Sequence, residues 1–360
     1  MDVYITGSGG LKSYLDIQIK YNPPRLFSYF GISVKDTQYG ESERFKDFLL
    51  LMGGKKMVGK LIKLFLDSGA YSAWSKGVPI DIQEYIQFIK LHLRFIAAYS
   101  VLDVMGDPEK TWANQRIMEK AGLHPVPCFH YNDDEKYVKL YTSGKYPYIS
   151  FGGMVPEHGN SLVMWLDRMF RDYVCGPDGM PKCKVHGFGM TTHDLLWRYP
   201  WYSVDSASWV FAGRNGVILV PRKINGEYNY QERAWTVTVS DKSGEAKKTE
   251  GKHFNSFSKT EQKQIVDYLA HKGEALGEST FFTPSGPDYV LKADELWANA
   301  KTKEMVEKIV VEGVTNSYRI RDALNVAYYV DLMNAYNLIK PWPWAFTMAP
   351  KGFGMGKRAK

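Results

Sequence analysis

Two aspartates stand where apolar segments of this sequence end, and both are followed by small or hydroxyl residues. Asp67 ends the segment KLFLD and precedes Ser-Gly-Ala, and Asp205 ends WYSVD and precedes Ser-Ala-Ser. Small neighbours leave a carboxylate at a strand tip accessible to a ligand. Two carboxylates can carry out displacement at an anomeric carbon, because one attacks or stabilises positive charge while the other moves a proton. The alternative for either residue is a helix cap or a partnered charge.

Other strand-like segments also end in polar or glycine residues. These positions are Asp103, His130, the Gly152-Gly153 pair in FGGMV, and His186. Paired glycines let a backbone approach a planar ligand closely, because no Cβ stands in the way. A simple strand-to-helix turn explains the glycines equally well, and a lone histidine such as His130 or His193 is more often structural.

Strand-like and helical patterns alternate through the first 216 residues. The strand-like segments include DVYITGSG, KLFLDSGAY, FIAAYSVLDV, HPVPCFHY, YISFGGMV and KVHGFGM, and the helical ones include SERFKDFLLLMGGKKMVGKL, DIQEYIQFIKLHL, PEKTWANQRIMEKAG and SLVMWLDRMFRDYV. This alternation predicts parallel strands joined by crossover helices. About eight such strands close a barrel, whose C-terminal face gathers catalytic groups. Because no G-x-G-x-x-G opens the first helix, we predict an α/β protein with a TIM (β/α)8-like barrel.

The pattern changes after the barrel core, which we place at residues 1–216. Residues 217–256 predict a β-hairpin and a basic loop inserted after the core, with Asn225-Gly226 as a turn signal. Residues 257–345 predict a helical C-terminal part that completes or packs on the barrel, with helices in KADELWANAKTKEMVEKIVVEG and SYRIRDALNVAYYVDLMNAYN. Residues 346–360 predict a flexible basic tail.

The composition favours a globular protein with a polyanionic partner. The chain has 360 residues, of which 44% are hydrophobic, so it can bury a sizeable core. Its net charge of +7 accompanies 24 tyrosines and 10 tryptophans, and aromatic faces stack on bases. Many proteins of this charge bind no nucleic acid, and most of the rings belong in a core.

The same composition argues against several other classes of protein. The first residues lack the pattern of a signal peptide and no long apolar run follows, so we expect a cytoplasmic protein without membrane contact. The three cysteines, Cys128, Cys175 and Cys183, lie outside any C-x-x-C. They predict buried thiols rather than disulfides or a thiolate zinc site.

The chemical motifs occur in the order seen in the tRNA-guanine transglycosylases, which this sequence resembles over roughly residues 60–216. The matching segments are LDSGAY, the strand that ends in Asp103, FGGMV, and HGFGMTTHDLL leading into SVDSASW. The resemblance implies that Asp67 is the general acid/base and Asp205 the nucleophile that attacks C1′ of the sugar. It also implies that Asp103 recognises the amino and ring N–H edge of a guanine-like base, and that His186 or Met190 stacks on the ring. The predicted pocket comprises Ser68, Gly69, Asp103, His130, Gly152, Gly153, Met154, His186, Gly187, Gly189 and Met190.

Two departures from the tRNA enzymes matter. The C-x-C-x-x-C cluster with a later histidine is missing, so we predict no structural zinc and no metal. The continuation SASWVFAGRNG also differs, and Arg214 is a candidate for a phosphate or base contact. In both departures the sequence resembles the DpdA-like 7-deazaguanine transglycosylases of phages and bacterial DNA-modification islands. That resemblance implies exchange of guanine in DNA for a free 7-deazaguanine base, such as 7-cyano-7-deazaguanine, without a cofactor.

Base exchange in DNA requires the target guanine to leave the stack. The predicted contacts to the polynucleotide are Tyr71, Trp74, Lys76, Trp209, Arg214, Arg222 and Lys223, together with Lys247, Lys248 and Lys252 in the basic loop. Three alternatives to DNA base exchange remain: a transglycosylase that acts on tRNA, a barrel N-glycoside hydrolase that uses water, and a non-catalytic nucleic-acid-binding barrel. A homodimer or an accessory protein stays open.

Overall fold

The computed structural model describes residues 1–7, 15–33, 62–154, 159–240, 242, 251–286, 288–299 and 301–348. The helix predicted over 42–61, the basic residues Lys247 and Lys248, and the tail from residue 349 onward lie outside these ranges. The chain divides into two compact units. The barrel unit comprises Met1–Leu11, Asn22–Ser206 and Tyr336–Lys360, and the second unit comprises Lys12–Tyr21 and Ala207–Ala335. The predicted division at residues 216, 256 and 345 stays a prediction.

Eight parallel strands form a closed ring in the barrel unit. They are β1 (Asp2–Ile5), β2 (Arg25–Ser28), β3 (Leu64–Asp67), β4 (Ala98–Tyr99), β5 (Cys128–His130), β6 (Tyr148–Gly152), β7 (Lys184–Gly187) and β8 (Ser203–Ser206). Their order is β4-β3-β2-β1-β8-β7-β6-β5. A parallel bridge between Ser100 and Val126 joins the two outer strands of that order and closes the barrel. The predicted TIM-like fold is confirmed.

Helices connect the strands as a (β/α) barrel requires. In chain order the helices are α1 (Leu15–Tyr21), α2 (Tyr29–Ser33), α3 (Ala70–Lys76), α4 (Ile82–His92), α5 (Pro108–Lys120), α6 (Glu135–Tyr141), α7 (Asn160–Arg168) and α8 (His193–Arg198). Helix α1 belongs to the second unit and the others to the barrel unit. Asp81 caps α4 by accepting the N–H groups of Gln83 and Glu84. Asp107 caps α5, whose first residue is a proline.

The barrel interior is apolar in its middle and polar at its C-terminal end. Tyr4, Leu26, Phe65 and Val126 are buried together inside it. Side chains alternate along a strand, so the residues two positions further on also face inward. Thr6, directly after β1, and Asp67, at the end of β3, occupy such positions. Asp205 is registered beside Tyr4 in the neighbouring strand and therefore faces inward as well.

The second unit contains three helices besides α1 and seven antiparallel strands among its described residues. They are α9 (Ser208–Arg214), β9 (Val217–Val220), β10 (Arg222–Ile224), β11 (Glu227–Asn229), β12 (Trp235–Thr238), α10 (Lys259–His271), β13 (Glu278–Phe282), β14 (Glu295–Trp297), β15 (Val306–Val311) and α11 (Tyr318–Ile339), which continues into the barrel unit. The hairpin predicted around Asn225-Gly226 is confirmed, because β10 and β11 pair across these two residues, whose φ angles are 50° and 87°.

The helix predicted over residues 292–313 is wrong. This segment contains β14 and β15, which pair with each other, and β15 also pairs with β13. The run VEKIVV is rich in β-branched residues, which suit a strand better than a helix. Helix α11 confirms the second predicted C-terminal helix. Within the described residues, no helix is long and apolar enough to cross a bilayer.

Candidate active site

Three aspartates meet at the C-terminal face of the barrel. Asp67 ends β3, Asp205 lies in β8, and Asp103 follows β4. The hydroxyl of Ser68 donates to Asp103 Oδ1 at 2.8 Å, which links Asp103 to the residue that follows Asp67. The charges of Asp103 and Asp205 both act on the Asp67 carboxyl. The fold therefore gathers the three predicted carboxylates into one electrostatic cluster.

Asp67 has the properties of a proton donor at neutral pH. Burial raises the pKa of its carboxyl to about 8, and the negative charges of Asp103 and Asp205 add to this effect. Its Oδ2 accepts the N–H of Gly69 at 3.0 Å. Helix α3 begins after Gly69 and has no side-chain cap, so Asp67 is not a helix cap. A carboxyl that keeps its proton near pH 7 can protonate a leaving group.

Asp205 is held as a buried carboxylate with a donor on each oxygen. The hydroxyl of Thr6 donates to Oδ2 at 2.8 Å, and the N–H of Gly189 donates to Oδ1 at 2.9 Å. Its residue is 6% exposed. These two hydrogen bonds fix the orientation of the Asp205 carboxyl group. The environments of Asp67 and Asp205 therefore differ as those of an acid and a nucleophile must.

Asp103 is paired with a histidine on the neighbouring strand. Its Oδ2 lies 2.9 Å from His130 Nε2, and the two side chains are almost completely buried. Burial alone would lower the pKa of His130, but the Cys128 sulfur and the Asp103 carboxylate outweigh it and raise the pKa to about 11. This contact fixes the Asp103 carboxyl group against the His130 ring, and lone pairs of its oxygens remain for a ligand.

The same region could hold a metal ion only after rearrangement. Ligand atoms of Asp103, Cys128 and His130 all lie within 4.8 Å of one another. A cysteine, a histidine and a carboxylate form a donor set that suits zinc. However, burial raises the pKa of the Cys128 thiol, and Nε2 of His130 already bonds to Asp103. The predicted absence of a metal stays a prediction.

The glycine pair in FGGMV makes room for His130. A Cβ on Gly152 would lie 2.8 Å from His130 Cδ2 and 3.1 Å from Cys128 Sγ. Gly153 has a φ of +65°, a backbone conformation that favours glycine. Gly153 is exposed, whereas Met154 is buried at 2% exposure. The pair thus allows His130 to reach Asp103, and only Gly153 presents backbone to solvent.

The predicted pocket residues between His186 and Met190 lie largely inside the barrel. His186 is fully buried and stacks on Phe65, with ring centroids 4.6 Å apart, so the prediction that His186 stacks on a base is wrong. Gly187 is buried as well, and a Cβ there would lie 3.0 Å from both Met190 and Trp201. Met190 is 3% exposed. Gly189 alone of this segment's predicted residues is exposed, and its N–H reaches Asp205.

Helix α3 carries the exposed candidates of the barrel unit. Tyr71 and Trp74 are each 64% exposed, and their ring centroids lie 6.0 Å apart. Lys76 is exposed at the end of the same helix, 5.5 Å from the Phe30 ring. The helix starts three residues after Asp67, which places an aromatic pair and a cation on the element that follows the proposed acid.

The remaining nucleic-acid candidates belong to the second unit. Trp209 is fully buried, so the prediction that it stacks on bases is wrong for this residue. Arg214, Arg222, Lys223 and Lys252 are exposed. On the β10–β11 hairpin, Arg222 lies over Trp235 at 5.7 Å and Lys223 over Tyr228 at 5.6 Å.

Sequence reasoning missed Thr6, Ser203 and Tyr148. Thr6 binds the Asp205 carboxylate, and the other two form hydrogen bonds below it. Tyr148 and Ser203 lie on β6 and β8, which also carry the predicted residues Gly152 and Asp205. The alternation of side chains along β1 gives a usable signal for Thr6, because Tyr4 and Thr6 share the interior face.

Comparisons with known proteins give little guidance for this chain. No family model matches it. No curated protein matches it either. Similar solved structures include the alpha-subunit of tryptophan synthase from the Pyrococcus furiosus a2b2 complex, with 12% identity over 60% of this chain and 91% of that chain and a TM-score of 0.40. A mutant alpha-subunit from the same organism shows 14% identity over 59% and 90%, with a TM-score of 0.39. Such a low likeness carries no argument about activity, and the barrel assignment rests on strand order and closure.

Proposed function

We propose that this protein is a base-exchange transglycosylase that replaces guanine in DNA with a 7-deazaguanine such as 7-cyano-7-deazaguanine. The observation that supports it is the pairing of a carboxyl with a raised pKa, Asp67, and a hydrogen-bonded carboxylate, Asp205, on β3 and β8 at the barrel mouth. Two carboxyl groups with separated protonation states are what a double displacement at C1′ needs.

In the first half-reaction Asp205 attacks C1′ of the deoxyribose. A C–O bond forms, the bond between C1′ and N9 breaks, and its electron pair goes to the departing guanine. The proton on Asp67 neutralises that base, so Asp67 becomes a carboxylate and the sugar is held as an ester of Asp205. Burial of Asp205 keeps water from competing for the ester.

In the second half-reaction the incoming 7-deazaguanine takes the place of guanine. The Asp67 carboxylate removes the proton from N9 of this base, N9 attacks C1′, and the ester bond to Asp205 breaks. Asp205 returns to its carboxylate form and Asp67 to its neutral form. Two inversions give retention of configuration. One N-glycosidic bond replaces another, so the exchange needs no oxidant and no energy source.

Asp103 suits recognition of the guanine edge. The ring N–H and the amino group of guanine are both donors, and a carboxylate is an acceptor. Ser68 and His130 each occupy one oxygen of Asp103 and thereby fix the plane of the carboxylate. A 7-deazaguanine has the same donor edge, so one carboxylate can bind both the leaving and the incoming base.

A polynucleotide substrate is supported by the surface of α3. Tyr71 and Trp74 expose their rings, and stacking on an aromatic ring stabilises an unstacked base by about 1–3 kcal/mol. The net charge of +7 adds attraction for phosphates. We assign DNA rather than tRNA on the resemblance to the DpdA-like enzymes, and the experiment includes both.

The test is incubation of the purified protein with guanine-labelled duplex DNA and 7-cyano-7-deazaguanine, followed by nucleoside mass spectrometry. We expect release of label with appearance of a 7-deazaguanine deoxynucleoside, and loss of both in Asp205→Ala and Asp67→Ala. Asp81→Ala is the matched control, because it removes a cap from α4 and leaves the mouth intact.

Three results would contradict the proposal. Exchange on tRNA but not on DNA would assign the RNA substrate. Label release without incorporation, at the same rate when the deazaguanine is omitted, would indicate an N-glycoside hydrolase. Binding of DNA that is unchanged by Asp205→Ala, with neither release nor incorporation by the unaltered protein, would indicate a binding protein.

A further inference from the structure

A chain of three polar side chains lies in the barrel interior beneath Asp205. The hydroxyls of Tyr148 and Ser203 lie 2.6 Å apart, and Ser203 Oγ lies 2.6 Å from His186 Nδ1. The other ring nitrogen of His186, Nε2, lies 3.4 Å from Oδ1 of Asp205. The proposed catalytic steps use none of these three side chains.

The barrel strands place this chain and hold it rigidly. The three residues come from the neighbouring strands β6, β7 and β8, and His186 is registered beside Ser203. Its ring stacks on Phe65 and meets Tyr4 and Phe188 edge to face. Ser203 and His186 are fully buried. A ring enclosed in this way cannot turn to exchange its two nitrogens without disrupting the packing.

The hydroxyl protons in this chain have one favourable direction. Among the described side chains, Ser203 is the partner of the Tyr148 hydroxyl. If Tyr148 donates to Ser203, the Ser203 proton is donated to Nδ1 of His186. A neutral imidazole that accepts at Nδ1 carries its proton on Nε2. That N–H is the group that faces Asp205.

The opposite direction is unfavourable at both ends. If Nδ1 of His186 donates to Ser203, then Ser203 donates to Tyr148, whose own proton loses its acceptor in the chain. The lone pair of Nε2 would then face a carboxylate oxygen at 3.4 Å. A buried polar atom without a partner is destabilising, and repulsion from the carboxylate adds to this.

We infer that His186 is a positioning residue for the nucleophile. The Tyr148–Ser203 pair fixes the Nε2–H tautomer of His186, and this N–H anchors Oδ1 of Asp205 beside the N–H of Gly189. Oδ2, held by the Thr6 hydroxyl, is then the oxygen that attacks C1′. Nε2 of His186 lies 3.4 Å from Oδ1 of Asp205 without forming a hydrogen bond in this structure, and this role of His186 requires the contact to shorten when substrate binds. The catalytic consequence rests on the proposed function, whereas the tautomer does not.

The tautomer is measured directly by nitrogen-15 NMR of histidine side chains. The protein has 8 histidines. The signals that disappear in His186→Gln are those of His186. We expect a proton on Nε2 and none on Nδ1 in the unaltered protein. Tyr148→Phe should keep this pattern, because the Ser203 hydroxyl can still donate to Nδ1. Ser203→Ala should lose it, and the signals should indicate a mixture of tautomers.

The catalytic consequence is measured as the rate of formation of the covalent DNA intermediate in a single turnover. Removing a hydrogen bond to a charged group is expected to lower the rate by about 10–100-fold. We expect a loss of that size in His186→Gln, a smaller loss in Ser203→Ala, and little change in Tyr148→Phe. The Kd for DNA should not change. Tyr146→Phe is the matched control, because it removes a tyrosine hydroxyl that bonds to Glu119 rather than to this chain.

The two measurements separate the inference from the proposed function. An Nδ1–H tautomer in the unaltered protein, or unchanged rates in both His186→Gln and Ser203→Ala, would overturn the inference. An Nε2–H tautomer in a protein that exchanges no base would support the proton chain and contradict the proposed function.

Discussion

Replacing the proposed acid, Asp67, should stabilise the protein near pH 8. Burial, with the charges of Asp103 and Asp205, raises the pKa of the Asp67 carboxyl from 3.8 to about 8. Between these pH values the folded protein keeps a proton that the unfolded chain has released. The folded state therefore binds more protons, and the stability falls as pH rises from about 4 to about 8. Asp67→Asn removes this penalty, because the amide is neutral in both states.

The size of the effect follows from the shift in pKa. The interval from 3.8 to about 8 is about four units, which at about 1.4 kcal/mol each sets an upper limit near 6 kcal/mol at pH 8. Asp67 is only half-buried, so part of its hydration is retained. We therefore expect a gain of about 1–3 kcal/mol at pH 8, and almost none at pH 4.

The assay is denaturant unfolding of the unaltered protein and Asp67→Asn at pH 4.5, 6 and 8. Asp81→Asn is the control, because it neutralises an exposed cap that asparagine replaces equally well. Asp67→Asn should be inactive, and its gain in unfolding free energy over the unaltered protein should grow with pH. A loss of stability at pH 8, or a gain that is the same at all three pH values, would refute the raised pKa.

Three further predictions concern pH, the glycine pair and the exposed aromatics. The rate of the first half-reaction should fall as pH rises through about 8, because this step requires Asp67 in its protonated form. A rate that increases up to pH 9 would contradict the role of Asp67 as the acid. Gly152→Ala should lower the unfolding free energy by about 1–3 kcal/mol in a urea titration, because the added Cβ would contact His130 and Cys128 too closely. Gly286→Ala should be nearly neutral in the same titration, because the space around the added Cβ is open. Trp74→Ala should weaken DNA binding by about 1–3 kcal/mol in fluorescence anisotropy without lowering the apparent Tm. Leu91→Ala, which removes another exposed side chain, on α4, should change neither quantity. Equal DNA affinities for the two variants would exclude stacking on Trp74.

The barrel and the carboxylates at its C-terminal face could be predicted from the sequence, because both depend on the order of strands and helices along the chain. Strand and helix alternation determines a parallel closed sheet, and residues at strand ends must meet at one face of it. This reasoning identifies Asp67, Asp103 and Asp205 as candidates. The short linkage between Ser68 and Asp103 then follows from the closeness of β3 and β4.

The interior contacts could not be predicted because they depend on how neighbouring strands are registered. His186 stands at a strand end in the sequence, yet the register beside Ser203 places its ring inside the barrel against Phe65. The role of Gly152 likewise depends on the position of His130 in the adjacent strand. In the segment 292–313, Glu295 and Glu307 are buried in a small sheet, against the usual rule that charged residues face solvent, so the sequence pattern does not reveal the strands.

The most direct test of the central claim is identification of the residue that carries the sugar. The protein is mixed with duplex DNA without added deazaguanine, denatured within one turnover and digested, and the peptides are examined by mass spectrometry. The account predicts a deoxyribose ester on the peptide containing Asp205, which disappears in Asp205→Asn and on addition of 7-cyano-7-deazaguanine. An adduct on another residue, or base exchange that persists in Asp205→Asn, would contradict it.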